Sequence, residues 1–311
     1  MMSLTQGFNL QDKVALVTGA TFGIGKETAL GLAKQRAHVV IVGRNRERTL
    51  KTVLWLKKQS GHDKIDFFIS DLSELSQVKA LSKDFRSQFN RLDILINNAG
   101  AIFTKRQLNS ENLEKTWVLN HLSPLLLTLE LRDMLRASAP ARVINVASGM
   151  YVDGNIDINS WDNEKKYSAT GSYSDSKMAM VLSTFVLAGL FENEGITVNT
   201  LHPGFVTTGM GTNNRDLYGL LIRALAPLKW IIRSTTKYMI SPVEGAKTSI
   251  YLASSPNVSK VTGKYFYKNK ERRTTEKTLD ANFQKKVWEF SMRQIRTALG
   301  DQSIGGDISN W

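Results

Sequence analysis

Cysteine is absent from the 311 residues. That excludes a disulfide framework and any chemistry that needs a thiolate. Histidine is scarce: His38, His62, His121 and His202 lie far apart and without metal-ligand spacing, so no metal site is expected. No uninterrupted apolar run reaches the roughly 18 residues of a membrane-crossing helix. Met1 to Gln11 has no basic stretch followed by an apolar one, so no signal peptide is expected and the chain is read as cytoplasmic. Acidic residues are outnumbered, 28 Asp and Glu against 41 Lys and Arg, for a net charge of +13. Such a surplus attracts anions of many kinds. It is spread over the chain without the basic and aromatic clustering of a nucleic-acid module, so nucleic acid is not expected as a partner. Hydrophobic residues make up 42% and charged ones 22%, which suits a globular protein with a large core.

What is present begins with Lys13–Thr18, a short apolar run of the kind that forms a buried parallel strand. Gly19-Ala20-Thr21-Phe22-Gly23-Ile24-Gly25 follows, and then a helical pattern over 26–35. Strand, glycine loop and helix is the context of a dinucleotide fingerprint. Gly19 makes the tight turn, Gly23 lets the backbone approach a pyrophosphate, and Gly25 permits close contact between helix and strand. The free N–H groups of the helix N-terminus then face the phosphates. The second strand, 37–42, ends in Gly43-Arg44-Asn45-Arg46 with no carboxylate at its tip. An acidic residue there selects NAD, whereas an arginine accommodates the 2′-phosphate of NADP. Arg44 therefore points to NADP(H), with Lys26 and Arg46 able to assist.

Further elements alternate. Helices are expected over 49–58 and 73–89, and strands over 65–70, 92–96, 142–146 and 196–201. Asp71-Leu72 follows the third strand, Asn97-Asn98-Ala99-Gly100 the fourth, Ala147-Ser148 the fifth and His202-Pro203-Gly204 the sixth. This pattern predicts an α/β fold: one Rossmann-type, doubly wound parallel sheet with helices on both faces. Ligands bind outside the carboxyl ends of such strands, where these motifs all fall. The stretch 109–136 reads as one long helix, kinked near Asn120 because asparagine competes for backbone bonds and Pro124 follows. A further helix is expected over 172–191. It carries Tyr173 and Lys177, four apart and hence on one face. An ammonium beside a phenol lowers its pKa and makes a general acid/base of it.

Together, Thr18 to Gly25, Asn97 to Gly100, Asn120, Ser148, Tyr173 with Lys177, and Pro203-Gly204 resemble the short-chain dehydrogenase/reductase family, in the family's order. The resemblance spans about Leu10 to Tyr267. Gly43-Arg44, Asn120-His121-Leu122, the long interval from Ser148 to Tyr173 and Gly263-Lys264-Tyr265-Phe266 are most similar to its retinol-dehydrogenase-like branch. The resemblance implies roles. Tyr173 exchanges a proton with the substrate oxygen, and Ser148 hydrogen-bonds that oxygen. Lys177 lowers the tyrosine pKa and holds the nicotinamide ribose, and Asn120 orders a water that relays protons to Lys177. Thr21, Phe22 and Ile24 belong to the pyrophosphate loop. Asp71 and Leu72 meet adenine. Asn98, Ala99, Gly100, Pro203 and Gly204 line the cofactor, while Val206 and Thr208 hold its carboxamide. Two positions depart from the family: Ser123-Pro124 replaces a common Gly-His pair, and Ala147 replaces a serine.

The implied activity is hydride transfer between NADP(H) and a lipophilic carbonyl or alcohol. Retinal-like, steroid-like and xenobiotic substrates all stay open. A non-catalytic NADP(H)-binding protein and a light-dependent tetrapyrrole reductase are the alternatives. The catalytic domain is expected over 10–300, between tails at 1–9 and 301–311. Residues 209–241 form a substrate-covering segment, with Leu217 to Ile232 as an apolar lid in which Leu221 and Trp230 stand out. From Pro256 to Arg296 the chain has eleven Lys and Arg against four Asp and Glu. That is read as a solvated helix face, with weak contact to anionic membrane as the second reading. Monomer and homodimer are both left open.

Overall fold

The computed structural model describes residues 8–158, 167–206 and 239–305. Its strands are β1 (Val14–Thr18), β2 (His38–Gly43), β3 (Ile65–Ile69), β4 (Ile94–Asn97), β5 (Ala141–Val146), β6 (Ile196–His202), β7 (Phe205–Val206), β8 (Met239–Ile240), β9 (Tyr265–Tyr267) and β10 (Lys270–Arg272). Eight of them form one sheet in the order β10-β9-β6-β5-β4-β1-β2-β3. Every pairing in it is parallel except β9 with β10. β7 and β8 pair separately. The strand order reverses between β1 and β4, which opens a crevice at the carboxyl ends of those strands.

The helices are α1 (Gly23–Lys34), α2 (Arg46–Ser60), α3 (Leu75–Gln88), α4 (Lys115–Trp117), α5 (Ser123–Glu130), α6 (Arg132–Ala137), α7 (Ala169–Leu190), α8 (Pro242–Ser254), α9 (Glu276–Leu279) and α10 (Ala281–Leu299). Strand side chains alternate between faces. Ala15, Val17, Val39 and Ile41 accordingly meet Leu32 of α1, Leu56 of α2 and Leu252 of α8. Leu16, Val40 and Leu95 point the other way, onto Val78 of α3, Leu126 of α5, Val181 of α7 and Trp288 of α10. The expected doubly wound parallel sheet is therefore present, with apolar layers on both faces.

The expected long helix over 109–136 is broken. Asn109 bends the chain instead: its Oδ1 accepts from the N–H groups of Glu111 and Leu113, and its amide donates to the Ser73 carbonyl. Helix begins only at Lys115, behind an N-cap formed by Glu114. The kink near Asn120 is a π-helical turn over Val118–Leu122, whose i to i+5 bonds widen the helix by one residue. Pro124 sits in the first turn of α5, where its missing N–H is no loss, so the helix runs on after the bulge.

Two further differences lie near the C-terminus. The hairpin of β9 and β10 falls in the basic stretch and turns through Lys268 and Asn269, both with positive φ (51° and 60°). That geometry is the tight two-residue hairpin turn that asparagine favours. α10, also in that stretch, does present the expected solvated basic face, with Lys285, Lys286 and Arg293 exposed, and buries Val287, Trp288, Phe290 and Ile295 on the core with its other face. Past α10, Asp301 pairs with Lys79 of α3 at 2.6 Å and Ile304 is buried, so residues 301–305 belong to the packed domain. The proposed lid, 217–232, lies outside the described residues.

Trp288 tests the weight of α10. It is 1% exposed and its indole N–H has no hydrogen-bond partner among the described residues, so truncation removes packing alone. Trp288→Ala is expected to lower the unfolding free energy by about 3–5 kcal/mol. Urea titration of both proteins measures this, and a loss below about 1 kcal/mol would show that α10 is not part of the cooperative core.

Candidate active site

The site is assembled where β1, β4, β5 and β6 end. Thr18 closes β1, and its hydroxyl donates to the Ile96 carbonyl while accepting from the N–H groups of Asn98 and Ala99. The Asn98 amide returns two bonds, to the carbonyls of Thr18 (2.9 Å) and Gly19 (3.2 Å). The glycine loop is thus tied to the end of β4. Two of its glycines are sterically required. At Gly19 (φ +63°) a Cβ would stand 2.8 Å from the Ala99 Cα, and at Gly25 it would stand 2.3 Å from the Asn98 amide nitrogen. α1 starts behind Phe22, which offers no side-chain cap, and its first turn carries no carboxylate. A helix N-terminus of this kind suits an anion.

Arg44 lies exposed at the tip of β2, and among the described residues it makes no hydrogen bond or ion pair. The two helpers expected beside it are engaged elsewhere. The Lys26 ammonium stands 3.5 Å from the centre of the Trp55 ring, and the Arg46 guanidinium lies over Phe67. Asp71 accepts from the N–H and hydroxyl of Ser73, while the Leu72 carbonyl accepts from Ser123, the residue that replaces the family's glycine. Thr21 lies on the loop beside α2, its carbonyl accepting from Thr52. Ile24 and Val206 both border Gly245 of α8, where a Cβ would meet their side chains at 3.2 and 2.7 Å. Pro203 and Gly204 form the turn between β6 and β7. Thr208 lies outside the described residues.

α7 brings Tyr173 and Lys177 to the same edge, and both are buried, 6% and 3% exposed. Ser148, which follows β5, accepts from the Met150 N–H at 3.2 Å and lies close enough to Tyr173 for its hydroxyl to act on the phenol. The Lys177 ammonium donates to the Val146 carbonyl at 2.8 Å and stands 5.8 Å from the centre of the Tyr173 ring. Asn120, fully buried, exchanges two bonds with the backbone of Ala101. A Cβ on Gly100 would lie 3.1 Å from Asn120 Oδ1 and 3.4 Å from Lys177 Nζ, so these two side chains flank one glycine. All four expected catalytic residues thus converge.

The electrostatics differ from the expectation that the lysine lowers the phenol. Burial pushes Tyr173 up, opposed only by the neighbouring Ser148 hydroxyl. Burial likewise pushes Lys177 down, to about 7. Desolvation disfavours each charged form and drives the two apart, so the tyrosine is held protonated.

His202 was not foreseen as a site residue. Its Nδ1 accepts from the Gly149 N–H (2.9 Å) and faces the Gly204 N–H (3.4 Å), and its ring stacks on Tyr267. It therefore holds the turn after Ser148 against the turn after β6. The signal was visible as a histidine directly before Pro203-Gly204.

The family model for short chain dehydrogenase matches residues 13–218. The chain belongs to the short-chain dehydrogenase family. Human retinol dehydrogenase 14 is 35% identical over 297 residues, 91% of this chain and 86% of that protein. Human polyprenol dehydrogenase is 32% identical over 286 residues, 90% and 84% of the two chains. Among solved structures, a 3-oxoacyl (acyl-carrier-protein) reductase from Agrobacterium tumefaciens C58 with NADP bound superposes at a TM-score of 0.68, with 25% identity over 85% of this chain and 96% of that one. The chain is a retinol-dehydrogenase-like member of an oxidoreductase family, as its motifs implied. No helix among the described residues is long and apolar enough to cross a membrane.

His202 also gives a pH signature. It must be neutral to accept the Gly149 N–H, and burial lowers its pKa to about 4, against about 6.5 when unfolded. The unfolded chain takes up that proton first. Stability is thus fully present above about pH 6.5 and is lost as pH falls toward 4, by about 1.4 kcal/mol per pH unit. His202→Asn is expected to flatten the dependence of unfolding free energy on pH by one proton between pH about 6 and 5. An unchanged slope would mean that His202 titrates normally in the folded protein.

Proposed function

We propose that this protein is an NADP(H)-dependent oxidoreductase that interconverts a lipophilic carbonyl compound and its alcohol. The observation that carries the reading is the meeting of Ser148, Tyr173, Lys177 and Asn120 at the edge of the sheet where the glycine loop also ends. The glycine cradle and the uncapped start of α1 fit a pyrophosphate, and exposed Arg44 fits a 2′-phosphate. Bound there, NADP(H) supplies the hydride.

The protein's own contribution begins at the carbonyl oxygen. Reduction places negative charge on it, and the hydroxyls of Ser148 and Tyr173 are the donors able to stabilise that charge. The burial that raises the Tyr173 pKa keeps the phenol loaded with the proton it transfers. Lys177 lies beside it with a pKa near neutrality, so it is suited to resupply that proton, and Asn120 closes the same wall. In the alcohol direction the same atoms run in reverse. The two human relatives, named for retinol and polyprenol, support a lipophilic substrate. A cytoplasmic setting belongs to the same proposal.

Tyr173→Phe removes the proton donor while leaving the ring in place. On whichever members of a retinoid, steroid and straight-chain aldehyde panel are turned over with NADPH in the dark, kcat should fall by about 10²–10⁴. Undiminished turnover would overturn the mechanism. If only light supports turnover, the substrate is of another class.

Arg44 decides the cofactor. A hydrogen bond to a charged group contributes about 1.5–3 kcal/mol, or roughly one to two decades in affinity. Arg44→Ala should weaken NADPH by that amount and NADH far less. Fluorescence titration with both dinucleotides measures it. Equal losses would remove the 2′-phosphate from the argument.

A further inference from the structure

α7 carries a second pair of residues spaced like Tyr173 and Lys177. Ser172 and Ser176 lie one position earlier, four apart, and so share a neighbouring face of the helix. Ser172 grips the residue that starts the helix into the π turn, and Ser176 grips Asn120 within it. The Ser172 hydroxyl donates to Glu114 at 2.8 Å. The Ser176 hydroxyl accepts from the Asn120 amide at 3.0 Å and donates to the Tyr173 carbonyl at 2.7 Å. Glu114 is itself buried, and its two oxygens also accept from the N–H groups of Thr116 and Trp117 at 2.8 and 2.9 Å. One carboxylate therefore caps the helix that precedes Asn120 and holds the residue that precedes Tyr173.

From this geometry we infer that Glu114, Ser172 and Ser176 are positioning residues that set the rotation of α7 and, through it, where the Tyr173 hydroxyl and the Lys177 ammonium point. Two off-axis bonds about one turn apart on one face restrain the rotation of the helix and its tilt together, where a single bond leaves the tilt free. A residue one place further along a helix projects about 100° away. Turning α7 thus swings Tyr173 and Lys177 together. The Ser176 bond also orients the Asn120 amide, leaving its Oδ1 for the Ala101 N–H. The inference rests on Tyr173 and Lys177 being the reacting pair, and its test is separable from the test of that reading.

The experiment uses the full chain, with Ser172→Ala, Ser176→Ala, Glu114→Gln and, as the conservative variant, Ser172→Thr. Turnover with NADPH is read on a substrate active with the parent. A displacement of about 1 Å at the reacting atoms lowers rate by up to about a hundredfold. Ser172→Ala and Glu114→Gln should therefore lose between about tenfold and a hundredfold in kcat. Their NADPH dissociation constants should stay within about threefold of the parent, because the pyrophosphate and Arg44 subsites are untouched. Ser172→Thr, which keeps the hydroxyl, should recover most of the rate. Independently of turnover, the Tyr173 phenol is titrated by tyrosinate absorbance, assigned by difference from Tyr173→Phe. Its midpoint should move in Ser172→Ala and return in Ser172→Thr. Variants that melt earlier but keep the parent's kcat and phenol titration would overturn the inference, as would a Ser172→Thr that behaves like the alanine. Undiminished turnover in Tyr173→Phe alone would instead condemn the underlying mechanism.

Discussion

Burying the Lys177 ammonium is the constraint on which the rest of the site depends. An ionised amine out of water is costly unless its donors are met. Here its main partner is a single backbone carbonyl, Val146 O, at the end of β5. That bond requires α7 to lie across the strand at one height. It also makes the charge easy to lose, since desolvation already brings the lysine to about 7. The same burial raises Tyr173. A stable fold would gain from an apolar residue at Lys177. The site instead keeps an amine and a phenol whose proton affinities are driven apart by one shared cause.

Holding that arrangement takes more than apolar packing, because packing tolerates sliding that proton transfer does not. The interior next to the site is accordingly polar. The Asn97 amide donates to Thr128 of α5 and to Asn145 of β5, and the Asn145 amide donates in turn to Thr184 of α7. Each of these side chains is buried. A buried amide without its partner is costly, so the chain of bonds fixes β4, β5, α5 and α7 at one register. Thr18 and Asn98 do the same between β1 and β4 on the side of the glycine loop. His202 does so between the ends of β5 and β6. The crevice is therefore bordered by directional bonds at each strand end that meets it.

Much of this was legible in the sequence, for identifiable reasons. Buried parallel strands are short and almost wholly apolar, so β1, β2 and β4 stood out, and the motif residues after them fell on one edge by topology alone. The pairing of Tyr173 and Lys177 followed from helical periodicity. The elements that were missed carry weak local signals. β9 and β10 are three residues each, too short for alternation to register, and they lie in a stretch dominated by lysine and arginine. The break at 109–114 is enforced by Asn109 bonding to its own backbone, which periodicity does not see. The direction of the Tyr173 shift was missed because it is set by how much protein covers the phenol, a tertiary quantity. Glu114 and Ser172 were invisible as partners since 58 residues separate them.

The π turn links these observations. A regular helix through 115–130 would rotate Asn120 relative to everything after it, because one residue shifts a side chain by about 100°. The extra residue in the turn lets Trp117, His121 and α5 keep their own packing while Asn120 faces Gly100 and α7. Trp117 and His121 are anchored on α10, through Gln294 at 2.7 Å and Ser291 at 2.7 Å. The His121 ring is buried and pushed down to about 3, so it is neutral and serves as a fixed hydrogen-bonding wedge. The bulge is thus held from outside by α10 and from inside by Ser176. The departure from regular helix falls around Asn120, the residue of this segment that flanks Gly100 together with Lys177, as expected where local irregularity aims a polar side chain rather than relieving bad packing.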